Sequence, residues 1–328
     1  MNGNTVRIPA EPALEPELAI IDTHHHLWAV LPDSIAIGRP YSIDEFHRDV
    51  RGGHKVIASV FVESSGSYRA DGPEHLRPMG EIEWVLRQEG DNGLMSGLIG
   101  FANLQLGSKV GEVLDAYLAL AGTRFKGVRH GVVWDPHPGV YVAPRKPPPH
   151  LLVDPSYRKG VTELARRDLV FEAWAYFHQL AELAELARTQ PDVQIVLCHL
   201  GGPVAMGPYA SRRDEMLHEW RRALSALARC PNVVMKLGAI GFPPFGAPEV
   251  LGPRCSSELI AEYWKPEIRF CIETFGPERC MFESNFPVDD ALCDYVTLWN
   301  VFKRITSDLT HDERKTLFEN TARRTYRL

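Results

Sequence analysis

Three consecutive histidines occupy positions 24–26, within the segment IDTHHHLW at residues 21–28. They follow an apolar run that predicts a β-strand, and side chains alternate between the two faces of a strand. His24 and His26 therefore share one face, and His25 lies on the other. Two imidazoles on one rigid element can bind the same divalent metal, or one of them can act as a base. An exposed or hydrogen-bonded core histidine is the alternative interpretation for each of them.

Two further histidines lie where other predicted strands end. His178 follows the predicted strand at residues 169–177, and His199 lies at the end of the one at 193–200. The carboxyl ends of parallel strands meet at one face of a barrel, where active sites are built. We therefore expect four imidazoles to converge at that face, namely His24, His26, His178 and His199.

The elements that would position these side chains alternate regularly along the chain. Short runs rich in β-branched residues predict strands, and amphipathic segments between most of them predict helices. This alternation implies parallel strands joined by right-handed crossovers. We predict an α/β fold, a TIM-like (β/α)8 barrel, with strands at residues 18–26, 56–64, 94–104, 125–132, 169–177, 193–200, 232–240 and 279–286. A dinucleotide-binding fold is disfavoured because the sequence contains no GxGxxG.

Long βα loops follow predicted strands 4, 6 and 7, at residues 133–160, 201–230 and 241–262. Loops at this face of a barrel usually form the binding site. Residues 1–17, which contain several proline and glutamate residues, predict a flexible N-terminal arm ahead of a single domain at 18–328.

The composition limits the classes of partner. The net charge of −6 disfavours nucleic acid and anionic membranes as partners, so a small-molecule substrate is expected. No apolar run is long enough to span a membrane, and the N-terminus lacks a signal-peptide pattern. The six cysteines are scattered without a CxxC pair, which predicts buried, reduced thiols and a cytoplasmic location. The oligomeric state stays open, with a homodimer as one alternative.

Five motifs occur in a characteristic order: IDTHHHLW, YFHQL, IVLCHLGGP, NVVMKLGAIG and RCMFESNFPVD. Together they resemble the lactonase branch of the amidohydrolase superfamily, from about residue 18 to the end of the chain. The resemblance implies a TIM-like barrel that hydrolyses a small lactone or related ester. It also implies a divalent metal, zinc or manganese, bound by His24, His26 and His178. His199 would bind or protonate the substrate, and in the mechanism that we predict it hydrogen-bonds the developing oxyanion.

The sequence departs from this family pattern after strand 8. The resemblance implies an aspartate that binds metal and acts as base, but this chain has Asn285 in the segment ESNFP. An amide can offer its oxygen to a metal but cannot take up a proton near neutral pH. Glu283, on the same face as Asn285, and Asp289 in the next loop are the alternative bases. The alternative role for Glu283 is that of a structural partner for a histidine N–H, and metal-independent action stays open.

Arg129 at the end of predicted strand 4 is the expected anchor for a substrate carboxylate, because guanidinium groups bind carboxylates through two bonds. An internal salt bridge to Glu63 or Glu172 is the alternative. Glu63 is also a candidate for orienting a metal-site histidine. Three aromatic residues are candidates to wall the pocket, namely Trp28, Trp174 and Tyr176.

These observations predict a metal-assisted hydrolase that opens a small, carboxylated lactone. A non-oxidative decarboxylase on the same scaffold is one alternative. A non-catalytic barrel that binds an acid is another, because Asn285 replaces the expected aspartate. A serine hydrolase with a nucleophile elbow is disfavoured because no GxSxG occurs.

Overall fold

The computed structural model describes residues 11–29, 40–89, 93–141 and 145–328. Eight parallel strands form one sheet in the order β1 to β8. The predicted TIM-like barrel is confirmed, and each strand coincides with a predicted one. The strands are β1 Ala19–His25, β2 Lys55–Val62, β3 Met95–Gly100, β4 Phe125–Arg129, β5 Val170–Ala173, β6 Ile195–Leu197, β7 Val233–Leu237 and β8 Cys280–Phe282.

The barrel is nearly closed, and its seam lies directly after β8. The N–H of His26 donates to the carbonyl of Phe286 at 2.8 Å, and the N–H of Asn285 donates to the carbonyl of His24 at 2.8 Å. These bonds hold the residues that follow β8 against the end of β1. They bring the first and last motifs of the sequence to the same rim.

Helices follow the strands and cover the outside of the barrel. The start of one helix follows from the sequence. The Thr310 side chain accepts the N–H of Glu313 at 3.3 Å and caps the N-terminus of the helix that begins at His311. The helices are α1 Ile43–Val50, α2 Met79–Glu89, α3 Val110–Ala121, α4 Pro155–Ala165, α5 Leu180–Thr189, α6 Arg213–Leu227, α7 Ala247–Leu251, α8 Ser257–Phe275, α9 Tyr295–Ile305, α10 His311–Lys315 and α11 Thr321–Tyr326.

The barrel interior holds an apolar cluster of strand residues, among them Val60, Val170 and Val196, which packs against Ala322 and Tyr326 of α11. The last helix therefore contributes directly to the interior core. Burial of this kind is the main favourable contribution to folding. It also leaves the polar strand-end residues at the opposite, carboxyl-terminal face, where a ligand can enter.

The described part of the N-terminal arm is held against α8 and α9. The Glu11 carboxylate accepts the N–H of Ser257 at 2.7 Å, and Lys303 Nζ donates to the carbonyls of Leu14 and Glu15 at 2.8 Å. Residues 1–10 of the predicted arm lie outside the described residues. Within the described ranges, no helix has both the length and the hydropathy of a membrane span. All six cysteines are free and buried.

Candidate active site

A cavity of ≈ 570 Å³ opens at the carboxyl ends of the strands. Its wall comprises polar side chains from several strand ends together with aromatic and proline residues from the long loops. The lining residues are His26, Glu63, Ser64, Ser65, Arg129, Gly131, Tyr141, Arg145, Trp174, His199, Met206, Phe242, Pro243, Pro244, Glu249, Asn285, Val288, Asp290 and Ala291.

His24 and His26 lie side by side at the end of β1, as the alternation of strand side chains predicted. Their Nε2 atoms are 3.2 Å apart. The Nδ1 atom of His26 lies 2.7 Å from the carbonyl oxygen of Val62, which fixes the proton on Nδ1 and leaves a lone pair on Nε2. Burial, together with the nearby Arg129, lowers the pKa of His26 well below its usual value. Both factors favour the neutral imidazole, which is the form that binds a metal or accepts a proton.

Glu283 bridges His199 and His24 from behind the cavity wall. Its Oε1 accepts the Nδ1–H of His199 at 2.7 Å and the His199 backbone N–H at 3.0 Å. Its Oε2 lies 3.0 Å from Nδ1 of His24. Burial opposes ionisation, but the adjacent His199 and Lys236 outweigh it and hold the pKa of Glu283 below its usual value. The carboxylate therefore fixes the His199 tautomer and leaves Nε2 as a proton acceptor.

One carboxylate, that of Glu63, binds two arginines in the cavity wall. Arg129 Nε donates to Oε1 at 3.1 Å, and Arg145 Nη2 donates to Oε2 at 2.7 Å. The two guanidinium groups and the single carboxylate together therefore carry a net charge of one positive unit. Arg129 Nη1 also lies 3.2 Å from Nε2 of His24. This arrangement can hold an anion, or stabilise negative charge that develops on a substrate oxygen.

Lys236 of β7 is fully buried below the histidines. Its Nζ donates to the Glu172 carboxylate at 2.8 and 3.0 Å and to the carbonyl of Thr23 at 2.7 Å. It also lies 3.3 Å from Nδ1 of His24. A buried charge needs partners of this kind, and the pair fixes β1, β5 and β7 relative to one another below the site.

Asn285 lines the cavity, and Asp289 lies behind it. The Asn285 Nδ2 donates to Oδ1 of Asp289 at 2.9 Å, and the N–H of Gly241 donates to Oδ2 at 2.9 Å. Because the amide nitrogen is engaged, the oxygen of Asn285 is the atom left for a ligand or metal. Asp289 is fully buried and absent from the cavity wall, so its role is to orient Asn285. Burial raises the pKa of Asp289 well above its usual value.

The structure does not bring His178 to the other three histidines, and the prediction that it completes a metal triad is corrected. Its Nε2 lies 3.0 Å from the carbonyl oxygen of Trp134, and it does not line the cavity. Strand β5 ends at Ala173, and His178 lies in a short 3-10 turn at Phe177–Gln179. The alternation of side chains does not extend beyond the strand, so the inference from residue spacing fails there.

Trp174 instead presents its ring at the end of β5, 5.9 Å from the ring of His199. Of the other predicted pocket aromatics, Trp28 stacks on His26 and donates to Ser64, while the hydroxyl of Tyr176 donates to the carbonyl of Tyr141. Neither Trp28 nor Tyr176 lines the cavity. They support residues of the wall rather than contact a ligand.

Two predicted roles of carboxylates also change. Glu63 binds arginines, while the carbonyl of Val62 holds the histidine that Glu63 was expected to orient. Glu283 is fully buried and absent from the cavity wall, so it is a partner of the histidines rather than a group that contacts substrate.

Sequence reasoning missed Arg145 and Lys236. Arg145 belongs to the proline-rich segment PRKPPPH in a long loop, and its position in space depends on the path of that loop. Lys236 lies within an otherwise apolar strand, VVMKL. A lone charge in a buried strand implies a buried partner, and that was the signal available in the sequence.

The histidine pair fits two ligands of a divalent ion. Two imidazole nitrogens bound to one tetrahedral zinc at about 2.0–2.1 Å would lie roughly 3.4 Å apart, close to the 3.2 Å between His24 and His26. In the described ranges, two groups of three His, Cys, Asp or Glu donors lie close together, and neither group contains His26. The first group is His24, Glu172 and Cys198, and the second is His24, His199 and Glu283. The amide oxygen of Asn285 and Nε2 of His199 are further possible donors on the cavity wall. The adjacent guanidinium of Arg129 opposes a cation, so such an ion would be held weakly.

Comparison with known proteins agrees with this fold. The family model described as "Amidohydrolase" matches residues 21–328. An uncharacterized protein, y4mH, of Sinorhizobium fredii is 31% identical, with 95% of this chain and 99% of that protein covered. An L-fucono-1,5-lactonase of Burkholderia multivorans is 25% identical, with 94% and 96% covered. A crystal structure of an amidohydrolase from Burkholderia multivorans with bound zinc has a TM-score of 0.74 at 22% identity, with 94% of this chain and 99% of that chain covered.

Proposed function

The chain belongs to the amidohydrolase family, and from that premise we propose that it hydrolyses a small lactone that carries a carboxylate. The observation that carries the proposal is the contact of 2.7 Å between His199 and the buried Glu283 at the cavity wall. It pairs an imidazole of fixed tautomer with a carboxylate, an arrangement that supports general-base catalysis. The L-fucono-1,5-lactonase relative supports a lactone as the substrate class.

In the proposed reaction, Nε2 of His199 takes a proton from water while the water oxygen bonds to the lactone carbonyl carbon. Glu283 stabilises the resulting imidazolium through its bond to Nδ1. The Arg129 guanidinium stabilises the negative charge on the former carbonyl oxygen. The ring C–O bond then breaks, and His199 returns its proton to the departing oxygen. The products are one hydroxyl group and one new carboxylic acid group in the same molecule, and the acid group releases its remaining proton to solvent to become a carboxylate.

The excess positive charge around Glu63 supports recognition of an anion. Arg129 and Arg145 share this single carboxylate, so a substrate carboxylate next to Arg145 would neutralise the cluster. Arg145 is partly exposed, and its guanidinium lies 3.7 Å over the ring of Phe101, which restricts its orientation. The sequence prediction named Arg129 as the anchor; we now assign that role chiefly to Arg145 and place Arg129 beside the reacting carbonyl.

His24, His26 and the amide oxygen of Asn285 would hold a divalent metal. When bound, such an ion polarises the lactone carbonyl or lowers the pKa of water. Zinc in the related crystal structure supports this proposal. The general-base role of His199 does not depend on the ion.

A panel of carboxylated lactones tests the proposal. We expect ring opening by the native protein, and a fall in kcat of about 100-fold or more in His199→Asn, because general-base catalysis contributes about that much. His178→Asn is the matched control, since His178 lies outside the cavity, and it should retain activity. Release of CO2 would support a decarboxylase instead. Stabilisation by lactones without any turnover would support a non-catalytic binding protein.

We also propose a reducing compartment such as the cytoplasm, because all six thiols are buried and free. Thiol titration of the unfolded, freshly isolated protein should detect six free cysteines per chain. A count of four or fewer would contradict the proposal.

A further inference from the structure

We infer that the lactone carries an apolar, ring-bearing body rather than a row of hydroxyl groups, and that three aromatic side chains select it. This inference rests on the proposed function and specifies its substrate class. The three residues, which we call the aromatic wall, are Tyr141, Trp174 and Phe242.

The aromatic wall is formed by rings from three different loops, and each ring contacts the other two. Tyr141 meets Phe242 edge to face, with centroids 5.7 Å apart at 88°. Trp174 lies 6.1 Å from Phe242 and 6.1 Å from Tyr141. Rings at these separations stabilise one another, so the wall is a preformed apolar surface.

The wall begins next to the groups that are proposed to react. The Trp174 ring lies 5.9 Å from the ring of His199, and the guanidinium carbon of Arg129 lies 5.5 Å from the Trp174 centroid. A lactone carbonyl placed between His199 and Arg129 therefore directs its neighbouring ring atoms toward the wall. Met206 and Pro244 extend the apolar lining.

Two polar groups of the cavity wall, Glu63 and Ser64, are already bonded to protein atoms, whereas Nε2 of His26, Nε2 of His199 and the amide oxygen of Asn285 stay available at the reacting end. Both oxygens of Glu63 accept bonds from arginines. The Ser64 hydroxyl accepts from Trp28 and lies 3.2 Å from a Glu81 oxygen. The aromatic wall offers a substrate two polar groups, the Tyr141 hydroxyl and the Nε1–H of Trp174, which has no partner among the described residues. A substrate hydroxyl placed over the faces of the three rings would lose its water and gain no partner there, which is unfavourable. The site therefore disfavours a polyhydroxylated lactone, although two lactonase relatives bear the name of a sugar lactone.

Three carboxylated γ-lactones test this selection. The first two differ only by a phenyl group, whereas the third differs both in its hydroxyl groups and in the position of its carboxylate, which is on a side chain. Paraconate is the parent, phenylparaconate adds one phenyl group, and glucarolactone carries hydroxyl groups instead. We expect kcat/KM to be about 10- to 100-fold higher for phenylparaconate than for paraconate, and lowest for glucarolactone.

The variant Phe242→Ala removes one ring of the wall and should reduce the phenyl-to-parent ratio to within about 3-fold. Phe270→Ala is the matched control. Both phenylalanines are half-buried, and Phe270 packs on Trp220 outside the barrel. The control should keep the native ratio.

Dissociation constants of the same compounds on His199→Asn separate this inference from the proposed function. If phenylparaconate binds most tightly but no lactone is opened by the native protein, the substrate selection is supported and the hydrolase proposal is overturned. If glucarolactone binds as tightly as phenylparaconate, or if none of the three binds, the inference is overturned. An unchanged phenyl-to-parent ratio in Phe242→Ala would overturn the assignment to the aromatic wall.

Discussion

Glu283 contacts two imidazoles that come from distant parts of the chain, and its position explains why a carboxylate is needed there. A glutamine in its place could accept from His199 through one oxygen, but it would not stabilise an imidazolium. We expect Glu283→Gln to lower kcat by about 100-fold or more with little change in KM. Steady-state kinetics on the most active lactone would measure this, together with the pH profile.

The control for that change is Glu163→Gln. Glu163, on the outer helix α4, is also buried but pairs with Arg167, which lies just beyond the end of that helix. Loss of an ion pair there should affect stability more than turnover. A Glu283→Gln enzyme within about 3-fold of native kcat would refute the role assigned to the carboxylate.

Asn285 holds its amide oxygen toward the cavity because Asp289 engages its nitrogen. A carboxylate at this position would add a charged oxygen ligand beside His24 and His26. We expect Asn285→Asp to raise the zinc retained after dialysis against a chelator by several-fold, since carboxylates bind zinc more strongly than amides do. Elemental analysis measures the retained metal. Equal retention in both proteins would show that residue 285 does not contact the ion.

At the scale of elements, the strand pattern made the barrel predictable, but strand ends limited the prediction of the site. His24 and His26 follow the alternation because β1 extends to His25. His178 does not, because β5 ends at Ala173 and the chain turns. Arg145 entered the site from a loop whose path depends on tertiary packing. Residue spacing thus predicts side chains within a strand well, and side chains in the following loop poorly.

Helix α2 holds the loop after β2 through one buried carboxylate. Glu81 Oε1 accepts the N–H groups of Ser64 and Gly66 at 2.9 and 3.0 Å. Burial is the largest cause that raises the pKa of Glu81, to about 8, and the nearby Glu63 carboxylate is the second. In the unfolded chain the Glu81 carboxyl has its ordinary pKa of 4.5. Between these values the folded state binds more protons, so stability falls as pH rises toward 8.

We therefore expect Glu81→Gln to be nearly neutral at pH 5 and stabilising at pH 8.5, by on the order of 2 kcal/mol. The amide oxygen can accept the same N–H bonds, so the loop geometry is retained. Urea unfolding of both proteins at the two pH values would measure the difference. Glu83→Gln, on the same helix but paired with Arg69 near the surface, should show no such gain. A gain that is equal at both pH values would contradict the proton linkage.

At the scale of the whole molecule, the two ends of the described chain close the structure. The first motif and the segment after β8 join at the upper rim through the bond from Asn285 to the His24 carbonyl. At the other end of the interior, α11 packs Ala322 and Tyr326 against the strand residues of the barrel. The hydroxyl of Tyr326 donates to Glu172 at 2.5 Å. Since Glu172 also binds Lys236, the C-terminal helix is linked to the polar layer below the histidines.

This link predicts that Tyr326→Phe destabilises the whole barrel more than the same substitution does at an ordinary buried tyrosine. The lost bond has a charged acceptor, and bonds of that kind contribute about 1.5–3 kcal/mol, against about 0.5–1.5 kcal/mol for neutral pairs. Tyr117→Phe is the control, because its buried hydroxyl donates to the carbonyl of Phe101 at 2.8 Å. Urea unfolding should give the larger loss for Tyr326→Phe, with kcat changed by less than about 3-fold, since Lys236 keeps its bonds to Glu172 and Thr23. Equal losses in the two variants would mean that the Tyr326 hydroxyl contributes no more than a neutral hydrogen bond.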